Sequence, residues 1–193
     1  LRASQIQDGG DLTTRQFIRI YTAYEAACQR AGVVDFAELL LRSLELLKNN
    51  QDILTHYRHR FQHLLVDEFQ DTNAIQYNWL RVIAGEHTPI FAVGDDDQSI
   101  YGWRGARIEN IFSFSEDNKD TQTFRLEQNY RSTSTILSAA NELISNNQGR
   151  LGKKLWTKGN QGTPIQLYAA YNEHDEARFV IERVREWVGQ QGR

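Results

Sequence analysis

The sequence predicts an α/β chain, with a parallel sheet flanked by helices and entered through a helical N-terminal region. Three observations predict it. Apolar residues recur at helical spacing over roughly the first 60 positions. Two short solid apolar runs, 64–66 and 90–93, are separated by one amphipathic segment, and a second strand-and-helix pattern follows a polar stretch.

Phe17, Ile18, Tyr21, Tyr24, Ala27 and Cys28 mark the first helix, and Phe36, Leu39, Leu40, Leu44 and Leu47 mark the next. Each set falls on one face of a 3.6-residue period. Leu64, Leu65 and Val66 then run straight into acids, the pattern of a strand buried on both faces. Thr72 and Asn73 are capping residue types, and Ile75, Trp79, Leu80, Val82 and Ile83 continue as an amphipathic helix with Trp79 in the core and Pro89 as its breaker. With the run at 90–93 as a second strand, residues 63–94 read as one βαβ unit with parallel strands and a right-handed crossover. Ile108, Ile111, Phe112 and Phe114 predict a short helix, and the polar SEDNKDTQ at 115–122 predicts a domain boundary. Beyond it, 124–126 and 165–169 have strand character, while 133–144 and 175–188 have helical periodicity.

At 40% hydrophobic and 24% charged, the composition is that of an ordinary globular protein. No stretch approaches the roughly 18 to 20 apolar residues of a membrane span, and the N-terminus has no signal-like region, so a cytoplasmic protein with no membrane partner is expected. Cys28 is the single cysteine, which excludes an internal disulfide, argues against a cysteine zinc site, and reads as a small buried residue of the first helix. A net charge of −3 gives no global attraction to nucleic acid, so any DNA contact needs a local constellation. The chain starts at Leu1 and contains no methionine, and is read as an excerpt of a longer reading frame.

Ligands of open parallel sheets sit at the carboxyl ends of strands. There the sequence places Asp67, Glu68, Gln70 and Asp71, in LLVDEFQDTN. Two adjacent acids after a buried strand can divide labour, Asp67 holding Mg²⁺ and Glu68 orienting and deprotonating the water that attacks a γ-phosphate. The plainer reading is a solvated turn in which Asp71 or Thr72 caps the next helix. After the second strand comes VGDDDQSIYGWRGA, 93–106. In an extended segment Tyr101 and Trp103 would project to one side as platforms for nucleobases, with Arg104 available to a phosphate. Stacking of this kind contributes about 1–3 kcal/mol per base and tolerates any sequence. Alternatively Trp103 plugs a hydrophobic gap, and the three aspartates at 95–97 form a hydrated turn or, at Asp95, support a metal. A third block, RLEQNYRS at 125–132, opens the second half; taken alone, Tyr130 reads as core and Arg131 as a surface ion pair.

Taken together and in this order, the three blocks resemble those of the UvrD/Rep/PcrA group of superfamily 1 DNA helicases. LLVDEFQDTN is similar to that family's Walker B motif, GDDDQSIYGWRGA to its motif III, and RLEQNYRS to its motif IV. Softer similarities lie in VDFAELL at 34–40, GRLGKKLWT at 149–157 and NEHDEA at 172–177. The resemblance implies an incomplete RecA-like P-loop NTPase motor core. Residues 1–61 would be the mainly helical part of an inserted subdomain, 62–124 the C-terminal part of a first motor domain, and 125–193 the N-terminal part of a second. It implies ATP and Mg²⁺ as cofactors, with Asp67 on the metal, Glu68 as the catalytic base, and Gln98 at the γ-phosphate. Tyr130 would stack on the adenine and Arg131 serve as an arginine finger, while Tyr101, Trp103 and Arg104 would contact single-stranded DNA.

The implied activity is 3′-to-5′ translocation and unwinding driven by Mg-ATP hydrolysis, in DNA repair or replication. The implied partners are single strands, single-strand/duplex junctions and repair accessory proteins. The family's phosphate-binding loop is absent: GRLGKK does not supply it, because Asn147 stands where GxxxxGK[ST] needs its first glycine and Lys154 where it needs the hydroxyl. The isolated polypeptide is therefore expected to be inactive. Two other readings stand beside this one. A metal nuclease using Asp67, Glu68, Asp71 and Asp95 would cut DNA with Mg²⁺ and no ATP, and a non-catalytic DNA-binding module descended from a helicase would bind without turnover.

Overall fold

A computed structural model describes residues 2–190 and resolves two compact units, one up to Gln122 and one from Thr123. The first opens with three helices, α1 (Leu12–Ala31), α2 (Phe36–Asn49) and α3 (Gln51–Arg60). Their ends follow from local chemistry. The Asp11 carboxylate accepts the N–H groups of Thr13 and Thr14, Asp35 accepts that of Glu38, and Gly32 closes α1 in the left-handed region at φ 67°. Cys28 is a free thiol on α1, half-buried rather than buried as expected.

The predicted βαβ unit is present: β1 (Leu64–Val66), α4 (Ala74–Ala84) and β2 (Ile90–Ala92), with β1 and β2 parallel and Leu65 in register with Phe91. Asn73 caps α4 through a reciprocal box, its Oδ1 accepting from the Ile75 and Gln76 amides at 2.9 Å while Gln76 Oε1 accepts from the Asn73 amide. The helix stops at Gly85, ahead of Pro89. Gly85 has φ 61°, and a Cβ there would lie 2.8 Å from the Arg58 guanidinium carbon. Arg58 in turn donates to the Val82 carbonyl, so a side chain from α3 satisfies the last turn of α4.

The core of this unit is Leu47, Leu54 and Ile83, with Ile53, Leu64, Trp79 and Val82 packed on it, so α2, α3, α4 and β1 share one apolar centre. Trp79 belongs to this core as expected, and its indole N–H reaches Ser43 Oγ at 2.8 Å. Buried leucine or isoleucine side chains contribute about 1.5–3 kcal/mol each relative to exposure. The expectation of strands buried on both faces fails, because Leu65 is 77% and Phe91 62% exposed. In a two-stranded sheet the helices cover one face, and these paired residues occupy the other. Helix α5 (Glu109–Asp117) runs into the stretch expected to be a linker, with Tyr77 OH donating to Asp117 Oδ2 at 2.7 Å.

In the second unit, α6 (Ser134–Ile144) and α7 (Glu173–Gln190) appear where periodicity predicts them. The strands expected at 124–126 and 165–169 are not formed. Phe124, Leu126, Ile165 and Leu167 are exposed, and the one ladder contact in this unit among the described residues is a parallel bridge between Gln128 and Trp156. Alternating apolar residues make a strand only when a neighbour supplies the hydrogen bonds. The segment 149–157 runs without a helix after Lys153, which agrees with the sequence argument that it is no phosphate loop. Among the described residues, no helix is long and apolar enough to cross a membrane.

Candidate nucleotide and nucleic-acid site

Asp67 and Glu68 leave the carboxyl end of β1 and both are exposed. Neither Asp71 nor Thr72 caps α4, because Asn73 does that, and Thr72 instead donates its hydroxyl to the Phe69 carbonyl. Asp67 Oδ1 accepts the Glu68 amide at 2.9 Å. Glu68 has φ 50° and ψ 44°, the one non-glycine residue with positive φ among those described. A left-handed backbone costs an L-residue roughly 1–2 kcal/mol, and it persists here because both neighbouring segments are fixed. Phe69, 3% exposed, packs edge-on against Tyr77 and Phe114 with ring centroids 6.0 and 5.4 Å away. Burial and the Asp117 carboxylate push the Tyr77 phenol well above its ordinary pKa, keeping it a donor. Asp71 Oδ1 is shut off from solvent with no hydrogen-bond partner, an acceptor that a proton donor or cation would satisfy.

The strand ends are joined by side chains. Gln70, 1% exposed, donates from Nε2 to Glu68 Oε2 at 2.7 Å and accepts the Asp95 amide on Oε1 at 2.9 Å. Asp95 accepts from Gln98 Nε2 at 2.7 Å and caps the short turn Asp96–Gln98. Gln98 is therefore linked to the acid pair through Asp95 and Gln70. One carboxylate oxygen from each of Asp95, Asp96 and Asp97 lies within 4.8 Å of the others, a spacing compatible with a cation and equally with the hydrated turn.

The aromatic loop differs from the extended segment expected. Gly102–Arg104 is a single 3₁₀ turn ending at Gly105, φ 89°. The turn still gathers the three side chains: Tyr101 and Trp103 centroids lie 6.5 Å apart, and the Arg104 guanidinium carbon sits 5.3 Å from one ring and 5.7 Å from the other. Trp103 is 81% exposed, so it plugs no gap. Past the turn the chain returns to the acid segment. Ala106 bridges Asn73, the Arg107 amide donates to the Thr72 carbonyl at 2.9 Å, and buried Asn110 donates to the same carbonyl at 2.9 Å and to Thr72 Oγ1 at 3.1 Å. Residues 94–110 are thus held at both ends by residues 70–73.

In the second unit Tyr130 is 86% exposed and so is not core, and Arg131 is exposed and forms no ion pair among the described residues. Asn129 Oδ1 accepts the amides of Arg131 and Ser132 at 2.9 and 2.8 Å, an Asx turn, while the Asn129 amide donates to the Trp156 carbonyl at 2.7 Å. Sequence reasoning gave no role to Gln70, Asn110 or Asn129, and read Thr72 only as a helix cap. The Asn129 turn was legible, an asparagine followed by a polar turn residue three positions on; the other three are revealed only by long-range partners.

An exposed acid pair at the end of a parallel strand, hydrogen-bonded through Gln70 and Asp95 to the head of a loop that carries a cationic aromatic turn, is an arrangement suited to phosphate chemistry beside a stacking surface. Residues 1–119 match the family described as UvrD/REP helicase N-terminal domain, and residues 124–193 the UvrD-like helicase C-terminal domain. The chain belongs to the UvrD-like helicase family. It is 62% identical to DNA helicase II of Salmonella typhimurium and 61% identical to that of Escherichia coli, each over 187 residues, 97% of this chain and 26% of the relative. To the ATP-dependent DNA helicase PcrA of Leuconostoc citreum it is 45% identical over 167 residues, 86% of this chain and 22% of that protein. The chain spans about a quarter of the length of these relatives.

Proposed function

We propose that the chain forms part of the motor of an ATP-dependent DNA helicase, one that translocates 3′ to 5′ on single-stranded DNA and unwinds duplexes, in repair or replication. Residues 62–124 and 125–193 belong to two RecA-like domains in this reading, and 1–61 to an inserted helical subdomain. Its DNA partners are single strands and single-strand/duplex junctions, with repair accessory proteins as further partners and the cytoplasm as its location. The observation that carries the proposal is the hydrogen-bonded path from Glu68 through Gln70 and Asp95 to Gln98, at the head of a loop that presents Trp103 to solvent.

The donor set fits Mg-ATP. Asp67 offers an exposed hard oxygen at a strand end, the kind of single carboxylate Mg²⁺ takes alongside phosphates and water. Bound there, the metal would neutralise charge on the β- and γ-phosphates. Glu68 orients the attacking water and accepts its proton. Gln98, held by Asp95, contacts the γ-phosphate and reports its presence to the loop. Tyr130 offers a ring face to the adenine, and Arg131 a guanidinium to transition-state charge, both presented by the Asn129 turn. Tyr101, Trp103 and Arg104 stack on bases and hold the strand backbone.

The test is Glu68→Gln in the full-length protein. ATP binding should persist while DNA-stimulated turnover falls at least a hundredfold; turnover at the unsubstituted rate would remove Glu68 from this role and with it the proposal. Residues 1–193 alone carry no GxxxxGK[ST] segment, and purified by themselves they should show no robust Mg-ATP turnover.

A further inference from the structure

Gln70 occupies a position that packing alone does not explain. It is among the two most deeply buried large side chains described, the other being Ile83 of the core. Burying a primary amide is unfavourable unless its donors and acceptor are used. Here they join two different strand ends, the N–H side on Glu68 Oε2 and the carbonyl side on the Asp95 amide. The amide cannot be reversed: the Gln70 carbonyl oxygen has no proton to donate to the Glu68 carboxylate, and the Gln70 NH₂ group cannot accept the Asp95 N–H. Gly94 closes the remaining space, since a Cβ there would stand 2.8 Å from Gln70 Oε1. Glu68 hangs from a left-handed backbone, so its side chain is aimed by what holds its far end.

We propose that Gln70 is a positioning residue, one that aims the Glu68 carboxylate and makes that aim depend on where the Asp95–Gln98 loop sits. The proposal rests on the role given to Glu68 above and adds the element that links it to the loop. Displacement of the loop by a bound strand moves the Asp95 amide. Gln70 has no room to swing independently and carries that movement to Glu68 Oε2. A glutamate at position 70 keeps an acceptor for Asp95 and nearly the same volume, yet it offers Glu68 a second carboxylate in place of a donor. Alanine removes both links.

The experiment compares Gln70→Glu and Gln70→Ala with Glu68→Gln in the full-length protein, measuring ATPase kcat and KM with and without oligo(dT), oligo(dT) affinity by fluorescence anisotropy, and thermal midpoint. For Gln70→Glu the expected result is a kcat lowered tenfold or more, with the KM for ATP within threefold and oligo(dT) affinity within twofold. Gln70→Ala should in addition lose most of the oligo(dT) stimulation of kcat. A Gln70→Glu protein with kcat within twofold of the parent overturns the inference. So does one in which kcat falls only together with a higher KM, weaker DNA binding and a lower thermal midpoint, because that result makes Gln70 a structural residue. An inactive Glu68→Gln beside an active Gln70→Glu sinks the Gln70 role alone, whereas an active Glu68→Gln sinks the motor reading beneath it.

Discussion

Replacing Gly94 by alanine tests how tightly the two strand ends are locked. The added Cβ would lie 2.8 Å from Gln70 Oε1 and 3.3 Å from both the Gln70 amide nitrogen and Phe69 Cβ. An oxygen at the tip of a side chain can ordinarily yield, but this one is 1% exposed and holds the Asp95 amide. If it moves, the half-buried Asp95 amide loses its Gln70 acceptor, at up to about 1–3 kcal/mol. If it stays, backbone and Phe69 must shift, which for an overpacked interior is again about 1–3 kcal/mol. The lower chain entropy of alanine in the unfolded state returns about 0.4–1 kcal/mol. A net loss of about 1 kcal/mol, and no more than about 2.6 kcal/mol, follows, and with a urea slope of about 1–3 kcal/mol per molar the midpoint should fall by about 0.5 M. Gly102→Ala is the control, because nothing lies within 4 Å of a Cβ there and its φ is ordinary. Urea unfolding followed by circular dichroism compares the two. Equal midpoints would refute the claim that Gln70 is locked in place.

Trp103→Ala should weaken oligo(dT) binding by roughly 5- to 150-fold, the equivalent of about 1–3 kcal/mol of lost stacking. Since Trp103 is 81% exposed, stability should change by no more than about 0.5 kcal/mol; anisotropy and a melt check both halves. Ile83→Ala, at the 1% exposed centre of the first unit, should cost about 2–5 kcal/mol in a urea melt. In the second unit the Tyr171 amide, the Tyr168 hydroxyl and Arg178 hold the Asp175 carboxyl below its ordinary pKa. A lowered folded value means that its stabilisation is complete above the unfolded value, near pH 4, and is lost as pH falls through the folded one. Carboxyl carbon NMR should find the Asp175 midpoint below the usual aspartate range, and Tyr168→Phe should raise it; an ordinary midpoint would contradict the geometry.

The helices were legible because each carries an apolar stripe; in α2 and α4 that stripe supplies the buried Leu44, Leu47 and Ile83, whereas α1 buries none of its residues. The βαβ unit was legible from its apolar runs and its acids. The open face of Leu65 and Phe91 was not, since a solid run of apolar residues looks the same whether one face or both are covered. Strand character at 124–126 and 165–169 needed pairing that periodicity does not report. At the site, residue types pointed to the acids and aromatics, but the 3₁₀ turn at Gly102 hid behind residues equally at home in an extended loop. Gln70 and Asn110 escaped notice because their partners lie 25 and 38 positions away.

The double attachment of residues 94–110 to residues 70–73 separates reach from anchorage. Extra residues inserted between Gly102 and Gly105 would lengthen the projecting tip without disturbing either foot, and doubling such a loop costs only about 0.6 kcal/mol in closure entropy. The reach of the aromatic turn is in this sense a tunable dimension of the protein, set by a few exposed positions that bear none of the fold's weight.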